Sequence, residues 1–241
     1  MAAAVIFSLA ACGTDKREAS VRSEQMREET ATENAEPASD GKILIAYFTA
    51  AENSGVDAVS SASYSMVNDE AVGRLRAIAD MIQAETGGEL FSIQTSVVYP
   101  SDGGELIDYA AKEQEEDVRP ELTSHIEGLD EYGTIFVGFP NWWADLPQVL
   151  YSFFDEYDFS GKTIIPFNVH NGSRFSGTIE TIQELEPEAT VITDGFIVNE
   201  RDVPEEAKAQ ISSKTKWMKG RNFYDVPSRK TVNKWVKSLK Y

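Results

Sequence analysis

The sequence predicts an α/β protein: five parallel strands in one sheet, with helices on both faces. Three observations predict it. Five strand-like runs alternate with helical periodicities between Lys42 and Leu239, the pattern of a parallel sheet joined by crossover helices. The central run, Thr134 to Phe139 (TIFVGF), carries no charge, as expected of a strand covered on both faces. The length, 241 residues, supports one good-sized core with a tail rather than two full domains.

The elements run in order along the chain. Lys42 to Phe48 (KILIAYF) is the first strand. Glu70 to Thr86 places Val72, Leu75, Ile78, Ala79 and Ile82 at helical spacing, and Gly87-Gly88 is a C-terminal stop. Glu89 to Gln94 (ELFSIQ) is the second strand, and Leu106 to Glu116 an acidic helix. The third strand is stopped by Pro140, which has no N–H to donate. Leu146 to Tyr157 is an apolar helix with Asp145 as its expected N-cap. The fourth strand is Lys162 to Val169 (KTIIPFNV). Ser176 to Glu186 is a helix stopped by Pro187, and the fifth strand begins at Thr190 and reaches Thr193 or a little further. Ser228 to Leu239 gathers Val232, Trp235, Val236 and Leu239 on one helix face. Two connections exceed ordinary loop length, Asn53 to Asp69 and Glu200 to Pro227, and long loops in compact domains are usually functional or mobile.

The net charge of −18 makes nucleic acid a poor partner for most of the surface. The charge is uneven. Lys208 to Tyr241 carries ten Lys/Arg and one acid, net +9, which leaves −27 for the remainder. A solvated helix face accounts for the basic end, and contact with an anionic surface is the sharper alternative. One cysteine rules out an intrachain disulfide. Two histidines and that cysteine argue against a structural zinc site.

Residues 1–12 (MAAAVIFSLAAC) are apolar but too short to span a bilayer. They resemble the h-region of a secretory signal, and Leu9-Ala10-Ala11-Cys12 matches the lipobox of bacterial lipoproteins. That resemblance implies cleavage before Cys12 and a lipid on its sulfur. No Lys or Arg follows Met1, a departure from the pattern that an upstream start would explain. Residues 13–40 are polar and charged, with too little apolar surface to offset their ordering entropy. They are expected to form a flexible tether of about 30 Å mean reach. The expected organisation is therefore a signal region (1–12), a tether (13–40) and one domain (41–241) with insertions near 53–69 and 200–227. The lipid would hold that domain outside the cytoplasmic membrane.

Asn141, Trp142 and Trp143 follow Pro140 at the carboxyl end of the third strand. Ligands of open α/β sheets bind outside those ends. Two large flat side chains there suit a flat aromatic ligand, and core packing is the alternative account.

KILIAYFT, SGKTIIPF and above all GFPNWW followed by LPQVLYSFFDEYDFSGKTIIPF resemble the flavodoxin-like family, in its bacterial branch with a long first loop. The resemblance spans about Lys42 to Asn199 and the last helix. It implies a flavodoxin-like three-layer sandwich with FMN at the strand ends. Family members hold the phosphate on a Ser/Thr-x-Thr-Gly-x-Thr loop after the first strand, with a helix N-terminus behind it. Here Thr49-Ala50-Ala51-Glu52-Asn53 stands in that place, and Thr49 alone clearly keeps the pattern. The implied phosphate set is Thr49, Ala50 and Asn53, with Gly73 and Arg74 substituting for the displaced Gly-x-Thr. Arg74 would pair with the phosphate directly. Ser60, Ser61 and Ser63 are an alternative source of hydroxyls, and Glu52 would repel the anion. The ring is expected against Pro140, Asn141, Trp142 and Trp143. Asn168, His170, Asn171, Gly172 and Ser173 form the second wall, and Tyr99 the outer rim. His170 is a donor toward the reduced ring or a loop histidine with no such role.

The resemblance implies electron transfer with a redox partner protein or a small electron acceptor. Rival readings are an NAD(P)H-dependent quinone or flavin reductase of the same fold and a surface binding module without redox chemistry. Whether the chain is an enzyme is open at this point. Ser173 lies near His170, but no Gly-x-Ser-x-Gly elbow is present, so a hydrolase fits poorly.

Overall fold

The computed structural model describes residues 41–53, 64–67, 70–100, 102–199 and 228–239. In chain order the strands are β1 (Lys42–Tyr47), β2 (Tyr64–Val67), β3 (Glu70–Gly73), β4 (Glu89–Ser92), β5 (Tyr132–Pro140), β6 (Thr163–His170), β7 (Thr190–Val191) and β8 (Phe196–Asn199). The helices are α1 (Ala50–Asn53), α2 (Arg74–Thr86), α3 (Gly103–Glu115), α4 (Gln148–Glu156), α5 (Thr178–Leu185) and α6 (Arg229–Val236). The lipobox Cys12, the tether, Ser60, Ser61, Ser63 and the connection 200–227 lie outside the described residues.

One parallel sheet runs β4-β1-β5-β6-β7, and β8 also pairs with β6. Every residue of β5, the middle strand of that order, and of its neighbour β6 is buried. Side chains alternate between two cores, as the period of a strand requires. Leu44, Ala46 and Phe48 join Ile135, Val137 and Phe139 under Leu106 of α3 and Val149, Leu150 and Phe153 of α4. Ile45 and Tyr47 join Phe136, Ile165 and Phe167 under α2 and α6. The three layers match the expected fold class.

Two elements differ from the sequence reading. The fifth strand is two short segments, β7 pairing at Thr163 and Ile164 and β8 from Phe167 to His170. Pro166 lies between those two stretches of β6 and has no N–H for a ladder there. The helix expected from Glu70 starts at Arg74, because Glu70–Gly73 is a strand in an antiparallel hairpin with Tyr64–Val67. Val72 fits both periodicities, and the pairing across the hairpin decided between them. The hairpin occupies part of the long first connection and delivers the chain to the start of α2.

Candidate functional site

β1 leads to β4 on one side of the sheet, and the next sheet strand, β5, lies on the other side of β1. The strand order therefore reverses between β1 and β5, and the carboxyl ends of these strands flank a crevice. Thr49, Ala50, Arg74, Leu75, Pro140, Trp142 and Val169 line a pocket there. It is narrow, about 10 Å³, room for a single water-sized group. Thr49 and Arg74 are 2% and 1% exposed. Gly73 brings the two segments together: a Cβ on it would lie 3.1 Å from both the methyl and the hydroxyl of Thr49. Arg74 is the first residue of α2, and Gly73 caps that helix without a side-chain hydrogen bond. A guanidinium, a hydroxyl and the start of a helix with no side-chain cap form a donor set for an anion.

Asn53 is buried next to this set but otherwise engaged. Its Nδ2 donates to the Thr49 and Ile93 carbonyls at 3.0 and 3.3 Å, and its Oδ1 accepts from the Thr95 N–H at 2.8 Å. It shapes the turn after β1. Glu52 is held by Tyr47 Oη at 3.1 Å and by Ser92 Oγ, and Arg76 lies 3.9 Å away. Burial, reinforced by the Glu52 charge, pushes the Tyr47 phenol up to about 12, so it stays protonated and donates.

The turn after β5 splits the tryptophan pair. The Asn141 N–H donates to the Val169 carbonyl at 2.9 Å, and Trp142 and Asp145 exchange backbone hydrogen bonds of 3.1 and 3.0 Å. Trp143 and Ala144, between them, have φ of 52° and 64°, so both central residues are left-handed, as in a type I′ turn. Trp142 points inward, edge-on to Phe48 and Tyr99 with centroids 5.6 Å apart in each case. Trp143 is 54% exposed, and its Nε1 donates to the Ile107 carbonyl of α3 at 3.0 Å. Asp145 does not cap α4, whose N-cap is Pro147 with no side-chain bond. The Asp145 carboxylate instead accepts from Leu146 N, Tyr151 Oη and Gln114 Nε2, which fixes the turn.

The second wall is tied to the first. Asn141 Nδ2 and Asn168 Nδ2 both donate to the Arg174 carbonyl, at 2.8 and 2.9 Å. Their Oδ1 atoms are buried without a hydrogen-bond partner among the described residues, two acceptors that lack a donor. His170 is buried, 4% exposed, at the end of β6, which excludes a surface-loop histidine. Its Nδ1 accepts from the Gly172 N–H at 3.0 Å, so the neutral ring carries its proton on Nε2. Asn171, Gly172 and Ser173 are exposed. Gly172 has φ of 104° with open space around it, so conformation rather than close approach calls for glycine there.

The structure thus groups Thr49, Ala50, Gly73, Arg74, Pro140 and Trp142 at the crevice and ties Asn141 to the loop after β6. Tyr99 is an inner wall, 1% exposed, and not the outer rim that its place after the second strand implied. Val98 and Ile107, which the sequence reading passed over, are exposed instead, at 71% and 55%. Among the described residues no cluster of His, Cys, Asp and Glu could hold a metal ion, and no helix is long and apolar enough to cross a membrane.

A parallel sheet wound in both directions from β1, with an aromatic turn and an anion donor set at its switch point, places the chain among the doubly wound α/β proteins. Within that class the chain belongs to the flavodoxin family: residues 42–214 match the family profile described as Flavodoxin. It is similar to the structure of a candidate flavoprotein from Bacteroides uniformis, with 25% identity and a TM-score of 0.56 over 83% of this chain and 99% of that one. A second, from Bacteroides eggerthii, is 24% identical with a TM-score of 0.53, over 72% and 97%. A flavoprotein from Lactobacillus acidophilus, solved in complex with FMN, is 16% identical with a TM-score of 0.49, over 65% and 92%. The comparison with curated proteins returned no match.

Proposed function

We propose that this chain binds FMN in the crevice between β1 and β5 and serves as an electron-transfer flavoprotein. The observation that carries the reading is the convergence of Thr49, Gly73 and Arg74 with Trp142 at one switch point. Membership of the flavodoxin family supports it. Thr49, Arg74 and the first turn of α2 would hold the phosphate, and the pocket, about 10 Å³ as it stands, would have to widen to admit it. Trp142 and the Pro140-Asn141 turn would carry the ring, and the unpartnered Oδ1 atoms of Asn141 and Asn168 would accept from a donor on the ligand. FMN, when bound, supplies the capacity to accept and release electrons; the chain sets affinity and potential. The acidic surface disfavours added negative charge on the ligand and steers a basic partner protein.

The experiment is reconstitution. Purified protein incubated with excess FMN and then desalted should be yellow, with a flavin absorption spectrum and near-stoichiometric flavin. Colourless protein after that treatment overturns the reading.

The same reading extends to location. The lipobox supports lipid attachment at Cys12, with the flavin domain tethered outside the cytoplasmic membrane. Cys12→Ser protein should leave the membrane fraction; its retention there would contradict the anchor.

A further inference from the structure

Glu113 is the one carboxylate of α3 turned into the core. It is 4% exposed, on the same helix face as the buried Leu106 and Ala110. Its carboxylate has one hydrogen-bonding partner among the described residues, Tyr99 Oη, at 3.4 and 3.5 Å from its two oxygens. Tyr99 is itself buried and stands edge-on to Trp142, Phe48 and Tyr109. The carboxylate therefore lies one aromatic layer behind the proposed ring platform. The same helix accepts the Trp143 indole N–H at Ile107 and donates from Gln114 to Asp145, so α3 meets the aromatic turn twice.

Among the described residues nothing nearby offers the carboxylate a counter-charge. Among the described residues, Tyr99 and Tyr109 are the titratable groups that face it. Lys112 pairs with Glu116, and Arg119 pairs with Asp117 and Asp155. Asp145, before α4, is engaged with Tyr151 and Gln114. A buried carboxylate without a cation is costly, and proton uptake removes the cost.

We propose that Glu113 is a positioning residue for the ring site: its carboxyl, acting through Tyr99 and Trp142, takes up a proton when the bound ligand gains negative charge and releases it when that charge leaves. The inference rests on the FMN reading above. If dithionite, itself oxidised to sulfite, gave up an electron pair to a bound flavin and the flavin took one solvent proton, one net negative charge would be added to the ligand, and a second solvent proton would join a Glu113 carboxylate oxygen. Tyr99 keeps its phenolic proton, and no bond within the chain breaks. Burial pushes the Glu113 carboxyl up to about 7, with the Tyr99 hydrogen bond opposing, so the group is poised to exchange a proton under ordinary conditions.

The test observes the Glu113 carboxyl directly by NMR in full-length protein labelled with ¹³C at glutamate carboxyls. The resonance is assigned by its loss in Glu113→Gln. In the apoprotein it should titrate near neutrality, and Tyr99→Phe, which removes the opposing hydrogen bond, should move the midpoint higher. Reduction of the FMN-bound protein should raise Glu113's proton affinity roughly tenfold, the effect expected of one added charge across a single aromatic layer. Correspondingly, the midpoint potential should fall more steeply with pH in wild type than in Glu113→Gln. Titration of Glu113 in the ordinary carboxylate range overturns the inference, as does a midpoint that ignores the redox state of a bound flavin. If wild type binds no FMN, the reading beneath it fails, and the coupling with it. Should Glu113→Gln not fold, Glu113→Asp, which also removes the labelled glutamate signal, supplies the assignment, and Tyr99→Phe carries the comparison.

Discussion

Trp143 and Ala144 sit side by side in the left-handed region, where a side chain costs roughly 1–2 kcal/mol per residue. The turn is held by its surroundings: the indole N–H on Ile107, the Asp145 carboxylate on three donors, and Trp142 wedged among aromatic rings. Two predictions belong at this scale. Ala144→Gly removes one of the strained Cβ atoms and should stabilise the apoprotein by up to about 1 kcal/mol in urea unfolding. Trp142→Ala should weaken FMN binding by up to about tenfold, the equivalent of a lost aromatic stacking contact. Trp143→Ala, at an exposed position, should cost less in affinity; isothermal titration of the two variants checks the order. The presence of an aromatic turn was legible in GFPNWW, but which tryptophan faces the crevice was not. That depends on the two left-handed residues, and neither is the glycine or asparagine that usually announces them.

At the scale of elements, the Phe167 ring of β6 lies across Gly138 of β5 and leaves no room for a side chain there. A Cβ there would come within 2.2 Å of the Phe167 ring. Gly138→Ala should cost about 1–3 kcal/mol by overpacking, and Phe167→Leu in the same chain should recover part of it. Thermal unfolding of the single and double variants measures both. The strands of this sheet were readable because long charge-free runs have few other fates, and β5 and β6 are buried from end to end. The hairpin before α2 was misread because Glu70–Gly73 continues the helical spacing of α2 itself, while its partner strand lies ten residues beyond α1. The nearness of Gly73-Arg74 to Thr49 was expected only through the family resemblance, since no local rule links the two segments. Glu113 had a usable signal: with Leu106 and Ala110 it marks one face of α3 at intervals of four and three. In a helix so rich in acids, that signal was passed over.

At the scale of the molecule, two buried carboxyls make stability depend on pH. Glu113 and Glu186 are 4% and 7% exposed, and burial pushes each from 4.5 to about 7. Between those values the folded chain holds protons that the unfolded chain has lost, so stability falls as pH rises from about 4.5 to 7. The loss is of the order of 1–3 kcal/mol per group. Glu113→Gln and Glu186→Gln should therefore gain stability over wild type at pH 8 and lose that advantage at pH 5, as read by urea unfolding at both pH values. The large net negative charge sets a second property, since association with a basic redox partner should slow as salt is added.

The central claim is that one crevice holds a phosphate at Thr49 and Arg74 and a flavin ring at Trp142. Binding of FMN and of riboflavin, monitored by quenching of flavin and tryptophan fluorescence, tests both halves at once. Wild type should bind FMN far more tightly than riboflavin. Arg74→Ala should weaken FMN by roughly 10- to 100-fold, the loss of a charge-assisted hydrogen bond, and leave riboflavin nearly unchanged. Equal affinity of wild type for the two ligands, or an Arg74→Ala variant that binds FMN as wild type does, would contradict the account.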